Sequence, residues 1–188
     1  MAQKRIHLVI RGRVQGVYFR QSSVREARRL CDVPSLDVIV ENAGRSGGPQ
    51  RAPGMDLARA EEILQVNALG ALRVYDAFVD LLRRGEAPRA LVNVSSEAGS
   101  LGAFRASGKP EYAMSKAALN ALTRWIAAKD PEVLVVSLDP GWTQTETGGA
   151  AATQTTRRAA DKILSVLTRL DEAHRGGFFT TDLTPIPW

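Results

Sequence analysis

Tyr112 and Lys116 stand four residues apart in YAMSK, downstream of the double serine Ser95-Ser96. On a helix that spacing puts a phenol and an ammonium on one face, one turn apart, where the positive charge favours the phenolate. A tyrosine that titrates near 10 in water then becomes a usable proton donor. Bringing it to about 7 takes roughly 4 kcal/mol of differential stabilisation, more than one exposed lysine supplies in water. The pair therefore needs a partly dry pocket, ideally with a cationic cofactor nearby. On an ordinary helix the same two residues are only a surface contact, so the surroundings decide.

Three short apolar runs must position these groups. LDVIV precedes ENAG (Glu41 to Gly44), LVNVSS ends in the serine pair, and VLVVSLDPGW closes on Pro140-Gly141. Each is followed by a turn and an amphipathic stretch, the pattern of a parallel sheet with helical crossovers and hence an α/β fold. Ligand sites in such sheets form beyond the carboxyl ends of the strands, where all the polar motifs fall. Helices are predicted from about Asp56 to Arg84, Glu111 to Lys129 and Arg157 to Ala173, with Leu64, Val74 and Phe78 facing the core.

From about Leu36 to Trp188 these motifs, together with the closing GGFF and PIPW, resemble a short-chain dehydrogenase/reductase of the carbonyl-reductase-like branch. The resemblance implies a Rossmann-like parallel sheet with helices on its faces and hydride transfer between NAD(P)H and a carbonyl. Carried over by position, Asn42, Ala43 and Gly44 match the Asn-Ala-Gly turn along the cofactor, with Glu41 where the family usually has another Asn. Asn67 in LQVNALG matches the asparagine that holds a water of the proton relay. Ser96 matches the serine that hydrogen-bonds the substrate carbonyl, Tyr112 the acid/base, and Lys116 the residue that binds the nicotinamide ribose and lowers the tyrosine pKa. Pro140, Gly141 and Thr145 match the segment cradling the nicotinamide. The segment from Glu97 to Glu111 is a few residues longer than usual and reads as a loop beside the substrate, with Phe104, Arg105 and Lys109 in reach of it. Gly148 to Thr156 falls where the family places a mobile lid.

Composition fits one compact domain. The 188 residues are 44% hydrophobic, enough to bury a sizeable core, and no segment approaches a membrane span. MAQKRIHLVIRGR is too charged for a secretory signal, which implies a cytoplasmic setting. Cys31 is the single cysteine, so neither a disulfide framework nor a thiolate metal site is expected, and His7 and His174 read as structural. The net charge of +5 rests on arginine pairs such as Arg83-Arg84 at predicted solvent faces, with no basic stripe interleaved with aromatics, so no nucleic-acid partner is expected. The partners implied are a small-molecule carbonyl or alcohol and, in one outcome below, a second copy of the chain.

Residues 1–34 depart from this picture, and 35–188 hold the dehydrogenase portion. The family should open with a strand and a Thr-Gly-x-x-x-Gly-x-Gly turn, then two further strands. Here one strand, roughly Arg5 to Val14, leads through Gln15 to Phe19 into a helix near Gln21 to Leu30 and directly to LDVIV, a truncated Rossmann-like arrangement. IRGRVQGVYFR resembles the opening of an acylphosphatase, in which Gln15, Gly16, Val17, Tyr18, Phe19 and Arg20 would cradle a phosphate at a helix start. The later asparagine of that family has no counterpart. Alternatively, Arg11, Gly12, Gly16 and Tyr18 overlie the dehydrogenase Thr and three glycines, with Tyr18 obstructing the third; the continuous acylphosphatase match is favoured. The strand end that reads the ribose 2′ position lies outside these segments, and NADPH is the expected form of the cofactor.

Topology bears on what survives. Parallel connections are right-handed in about 98% of cases, so the helix from the first strand to LDVIV should cross on the opposite face from the family's first helix. The switch point that usually holds the pyrophosphate would vanish, and apolar surface near the first strand would be met by dimerisation or marginal stability. Three functions follow: an NAD(P)-dependent carbonyl reductase, an acylphosphate hydrolase using Arg20, or a non-catalytic product of rearrangement.

Overall fold

The computed structural model describes residues 34–49, 53–105 and 108–188. Expectations for the first strand, the phosphate loop at Gln15 to Arg20, His7 and Cys31 lie outside the described residues. Four strands, β1 (Val38–Glu41), β2 (Ala90–Val94), β3 (Leu134–Asp139) and β4 (Phe178–Thr180), form one sheet in that order. Every pairing is parallel, with Glu41 opposite Asn93 and Asn93 opposite Ser137. The three apolar runs become β1 to β3. The fourth strand is only three residues long, below what hydrophobic pattern alone resolves.

Helices α1 (Leu57–Asn67), α2 (Leu69–Arg83), α3 (Pro110–Lys129) and α4 (Thr156–Leu167) connect them. Asp56 caps α1 through a bond from Arg59 N–H, Thr155 caps α4 through Arg158 N–H, and Pro110 enters α3 at its first turn. The continuous helix expected from Asp56 to Arg84 is instead broken at Ala68. Nothing in the local sequence forbids helix there; the break lies beside Asn67, whose side chain is taken up by tertiary partners. The helix expected to reach Ala173 ends at Leu167, followed by a 3-10 turn at Glu172–His174. His174 Nδ1 lies 2.7 Å from the Asp171 carboxylate in that turn and the ring meets Phe179 edge-on, a structural role as expected.

Strand alternation sorts the core into two layers. Leu91, Val133 and Val135 pack against Leu82 of α2 and Ile126 of α3, and Val74, Phe78 and Leu81 extend that layer beside Ile39. Ala90, Val92, Leu134, Val136 and Leu138 pack on the other face against Ile163, Val166 and Leu167 of α4. Leu64 is only half-buried; Ala60, Ile63, Val66 and Asn67 are the buried residues of α1. Since the strands step one way across the sheet while α4 lies on the far face, the β3–β4 connection has the opposite hand to the two before it, against the usual rule. Val40, at the described edge of the α4 face, is 39% exposed. Arg83, expected at solvent, instead donates to the buried Asp130 carboxylate at 3.0 Å, which also accepts from Tyr75 at 2.7 Å.

The tail closes the molecule over the segment that follows Ser96. The Trp188 ring stacks on Phe178 with centroids 5.6 Å apart and lies beneath the Arg124 guanidinium. Gly102 N–H donates to the Trp188 carbonyl and the Ser100 hydroxyl donates to that of Pro187. No described helix is long and apolar enough to cross a membrane.

Candidate active site

The carboxyl ends of β1 to β3 converge with the first two turns of α3. Ser96 follows β2 in extended backbone, and its Oγ accepts from Ala98 N–H at 3.2 Å, capping a 3-10 turn, Glu97–Gly99. The Ser96 hydroxyl keeps its hydrogen to donate, and it stands close enough to the Tyr112 phenol to favour the phenolate. Thus the segment expected as loop from Glu97 begins as packed structure. At Gly99 a Cβ would come within 2.6 Å of the Lys116 backbone, so the turn rests directly on α3 with no room for a side chain.

Lys116 lies 4% exposed beneath the site; its Nζ donates to the Val94 carbonyl at 2.8 Å and sits 5.8 Å from the Tyr112 ring centroid. Burial lowers its pKa to about 8, against the attraction of Glu41 and then Asp139, which raise it. The tyrosine differs from the expectation of a lowered pKa. Burial pushes Tyr112 up, the Ser96 hydrogen bond pulls it down, and the Asp139 charge pushes it up again. The physical reason is burial, which outweighs the help of Ser96 while the Lys116 ammonium donates inward to the Val94 carbonyl.

Asn67 is 1% exposed, and both ends of its amide are hydrogen-bonded. It donates to Arg45 O and to Ser115 Oγ, both at 2.8 Å, and accepts from Arg45 N–H at 2.7 Å. The side chain therefore ties the turn after β1 to α3. Ser115 passes the constraint on by donating to the Tyr112 carbonyl at 2.7 Å. Asn42, Ala43 and Gly44 are exposed along the cleft. A Cβ on Gly44 would stand 3.7 Å from Lys116 Nζ, so the bare backbone leaves the approach to the ammonium clear.

Across the cleft Gly141 has φ +80, a conformation glycine adopts freely. Pro140, Gly141 and Thr145 belong to a loop whose ends are pinned together: Gln154 Nε2 donates to Pro140 O and to Thr143 Oγ1, and Gln144 N–H donates to Gln154 O at 2.8 Å. Thr145 is exposed there, its hydroxyl accepting from Gly148 N–H. Phe104 is 62% exposed. Arg105 reaches toward Glu97 at 3.7 Å, and Lys109 donates to Thr147 O at 3.2 Å, linking the segment before α3 to the loop after β3. Between the turn after β1 and that loop lies a cavity of about 1020 Å³ bounded by Gly44, Arg45, Glu62, Lys109 and Glu146.

Two site residues escaped sequence reasoning. Asp139 accepts from Gly141 N–H at 2.7 Å and from Glu97 N–H at 3.1 Å, joining both rims of the cleft. An acid at the end of an apolar strand just before Pro-Gly was the available signal. Glu41 is buried, 8% exposed, and accepts from Ala43 N–H at 3.1 Å. Burial raises its pKa to about 7, opposed by that bond and by Lys116.

A family model described as short chain dehydrogenase matches residues 19–156, so the match begins inside the segment expected to be of acylphosphatase type. The C-signal of Myxococcus xanthus is 40% identical over 164 residues, 86% of this chain and 98% of that protein. The carbonyl reductase Sniffer of D. melanogaster is similar with a TM-score of 0.84 at 26% identity, over 97% of this chain and 78% of that one. An NADPH-bound carbonyl reductase from chicken fatty liver gives 0.83 at 25%, over 94% and 75%. With the Ser96, Tyr112 and Lys116 geometry in place and more than half its length matched, the chain belongs to the short-chain dehydrogenase family.

Proposed function

We propose that the chain is an NAD(P)-dependent reductase of small carbonyl compounds, with NADPH the preferred form. The observation that carries this reading is the Tyr112 phenol, beside the Ser96 hydroxyl and next to a buried Lys116 ammonium at the open end of a parallel sheet. The nicotinamide end of a dinucleotide fits the residues present: Gly44 and Gly141 offer backbone without side chains on either side of the cleft, and the ammonium supplies hydrogens for ribose hydroxyls. Lys116, Asn42, Ala43, Gly44, Pro140, Gly141 and Thr145 would hold it. When bound, NAD(P)H supplies the hydride that adds to the carbonyl carbon.

The protein's own part is proton transfer and charge stabilisation. Ser96 donates its hydroxyl hydrogen to the carbonyl oxygen, and Tyr112 gives up its proton to that oxygen as negative charge develops there. Lys116, cationic below about pH 8, stabilises the phenolate left behind. Asn67 acts by holding the turn after β1 in register with α3. The Myxococcus relative carries the name of a signal; a hydroxyl, phenol and ammonium gathered at one strand-end cleft favour the enzymatic reading for this chain.

The test is NADPH-dependent reduction of a panel of aldehydes and ketones by the wild type and Tyr112→Phe, with NADPH binding followed by fluorescence. The variant should bind NADPH as the wild type does and lose about 10²- to 10⁴-fold in kcat. Undiminished turnover in Tyr112→Phe ends the assignment of Tyr112 as acid/base.

A further inference from the structure

A buried row of polar side chains runs across the sheet beneath α3. Glu41, Asn93 and Ser137 occupy one register line and one face of neighbouring strands. Ser137 Oγ donates to Thr123 Oγ1 at 2.8 Å, and Thr123 in turn donates to Leu119 O at 3.1 Å. The threonine hydrogen is thereby used, so the 2.9 Å contact between Asn93 and Thr123 Oγ1 has to be donated by Asn93 Nδ2. That fixes the amide orientation and leaves Asn93 Oδ1, in a residue with no exposed surface, an acceptor with no donor. Such a group is costly unless something gives it a hydrogen.

Glu41 is the residue directly opposite Asn93 on β1. Its Oε1 already accepts from Ala43 N–H. A carboxylate would set acceptor against acceptor at Asn93; a carboxylic acid would complete the row. From α3 the charged group facing Glu41 is Lys116, which Asp139 faces from β3. We propose that Glu41 is a proton-holding positioning residue behind Lys116: as the acid it donates to Asn93 Oδ1, and as the carboxylate it holds Lys116 as an ammonium. The shift of Glu41 to about 7 agrees with both states being reached near neutrality. This deepens the reductase reading, since the ammonium is what stabilises the Tyr112 phenolate.

The experiment is an NMR titration of the full chain labelled with carboxyl-¹³C glutamate, without cofactor or substrate. One glutamate should titrate near neutral pH, disappear in Glu41→Gln, and move to higher pH in Lys116→Met, where the attracting cation is gone. A Glu41 carboxyl that titrates with ordinary glutamates, near about 4.3, overturns the proposal. Glu41→Gln keeps a hydrogen for Asn93 Oδ1 and should fold as the wild type does. Without the anion, however, the lysine loses its proton sooner, so the alkaline limb of kcat/KM should fall by about one pH unit. An unmoved limb overturns the counter-ion role. Failure of the reductase reading shows differently, as absent turnover in a wild type whose Glu41 still titrates near neutrality.

Discussion

The two faces of the sheet are built to different rules. Toward α4, Ala90, Val92, Leu134, Val136 and Leu138 are apolar from one end of the strands to the other. Toward α3 the lower half is equally apolar, at Leu91, Val133 and Val135, but the upper half turns to Glu41, Asn93 and Ser137. Burying such groups stabilises less than burying aliphatic ones and is costly wherever a partner is missing. The α3 face carries the helix with Tyr112 and Lys116. Directional hydrogen bonds at Thr123, Asn120 and Ser115 set its position and rotation, which non-directional apolar packing alone fixes less sharply. The α4 face positions none of these groups, and there aliphatic packing suffices.

The sharpest way to break this contrast is to carry the polar rule to the wrong face. Val136→Asn puts an amide among Ile163, Val166 and Leu167, and should destabilise by about 4 kcal/mol in denaturant unfolding, from lost apolar burial plus an unpaired amide. A loss under about 1 kcal/mol would show that the far face tolerates polarity and that the contrast is accidental. Lys116→Met tests the opposite face. The folded-state pKa of Lys116 is lowered from 10.5 to about 8, so below about pH 8 the folded chain carries a buried ammonium at a cost that fades as pH rises from there toward 10.5. The variant should abolish turnover yet unfold about 2–3 kcal/mol harder at pH 7, a gain that shrinks by pH 10. Equal stabilisation at both pH values would assign the gain to packing and not to charge. Ser137→Ala is the mildest probe: Thr123 loses a donor but keeps Asn93, and stability should drop by about 1 kcal/mol with little change in kcat.

The sequence made the strand cores legible because Val38–Glu41, Ala90–Val94 and Leu134–Asp139 are short, strongly apolar runs bounded by turn residues. The gathering of Tyr112, Lys116, Ser96 and Asn67 at the strand ends was legible through motif and spacing. What stayed hidden depends on contacts remote in sequence. Phe178–Thr180 is a strand because β3 is beside it, and the break at Ala68 follows from Asn67 reaching Arg45 and Ser115. The inward turn of Lys116 toward Val94 and the burial that raises the Tyr112 pKa are set by three separate strands ending near Glu41, Asp139 and the ammonium. Placement of α4 on the far face was equally beyond local pattern, since an amphipathic helix fits either side.

The pinched base of the loop at Gln154 has a consequence for how this molecule diversifies. With Pro140 and Thr143 already fastened to Gln154, the closure entropy of the enclosed stretch is met by its own neck, and changes in tip length add only slowly to it. Residues 145–152 can thus be rewritten, lengthened or grafted from a relative while β3 and α4 remain untouched, giving the scaffold a replaceable cassette at the rim of its cleft.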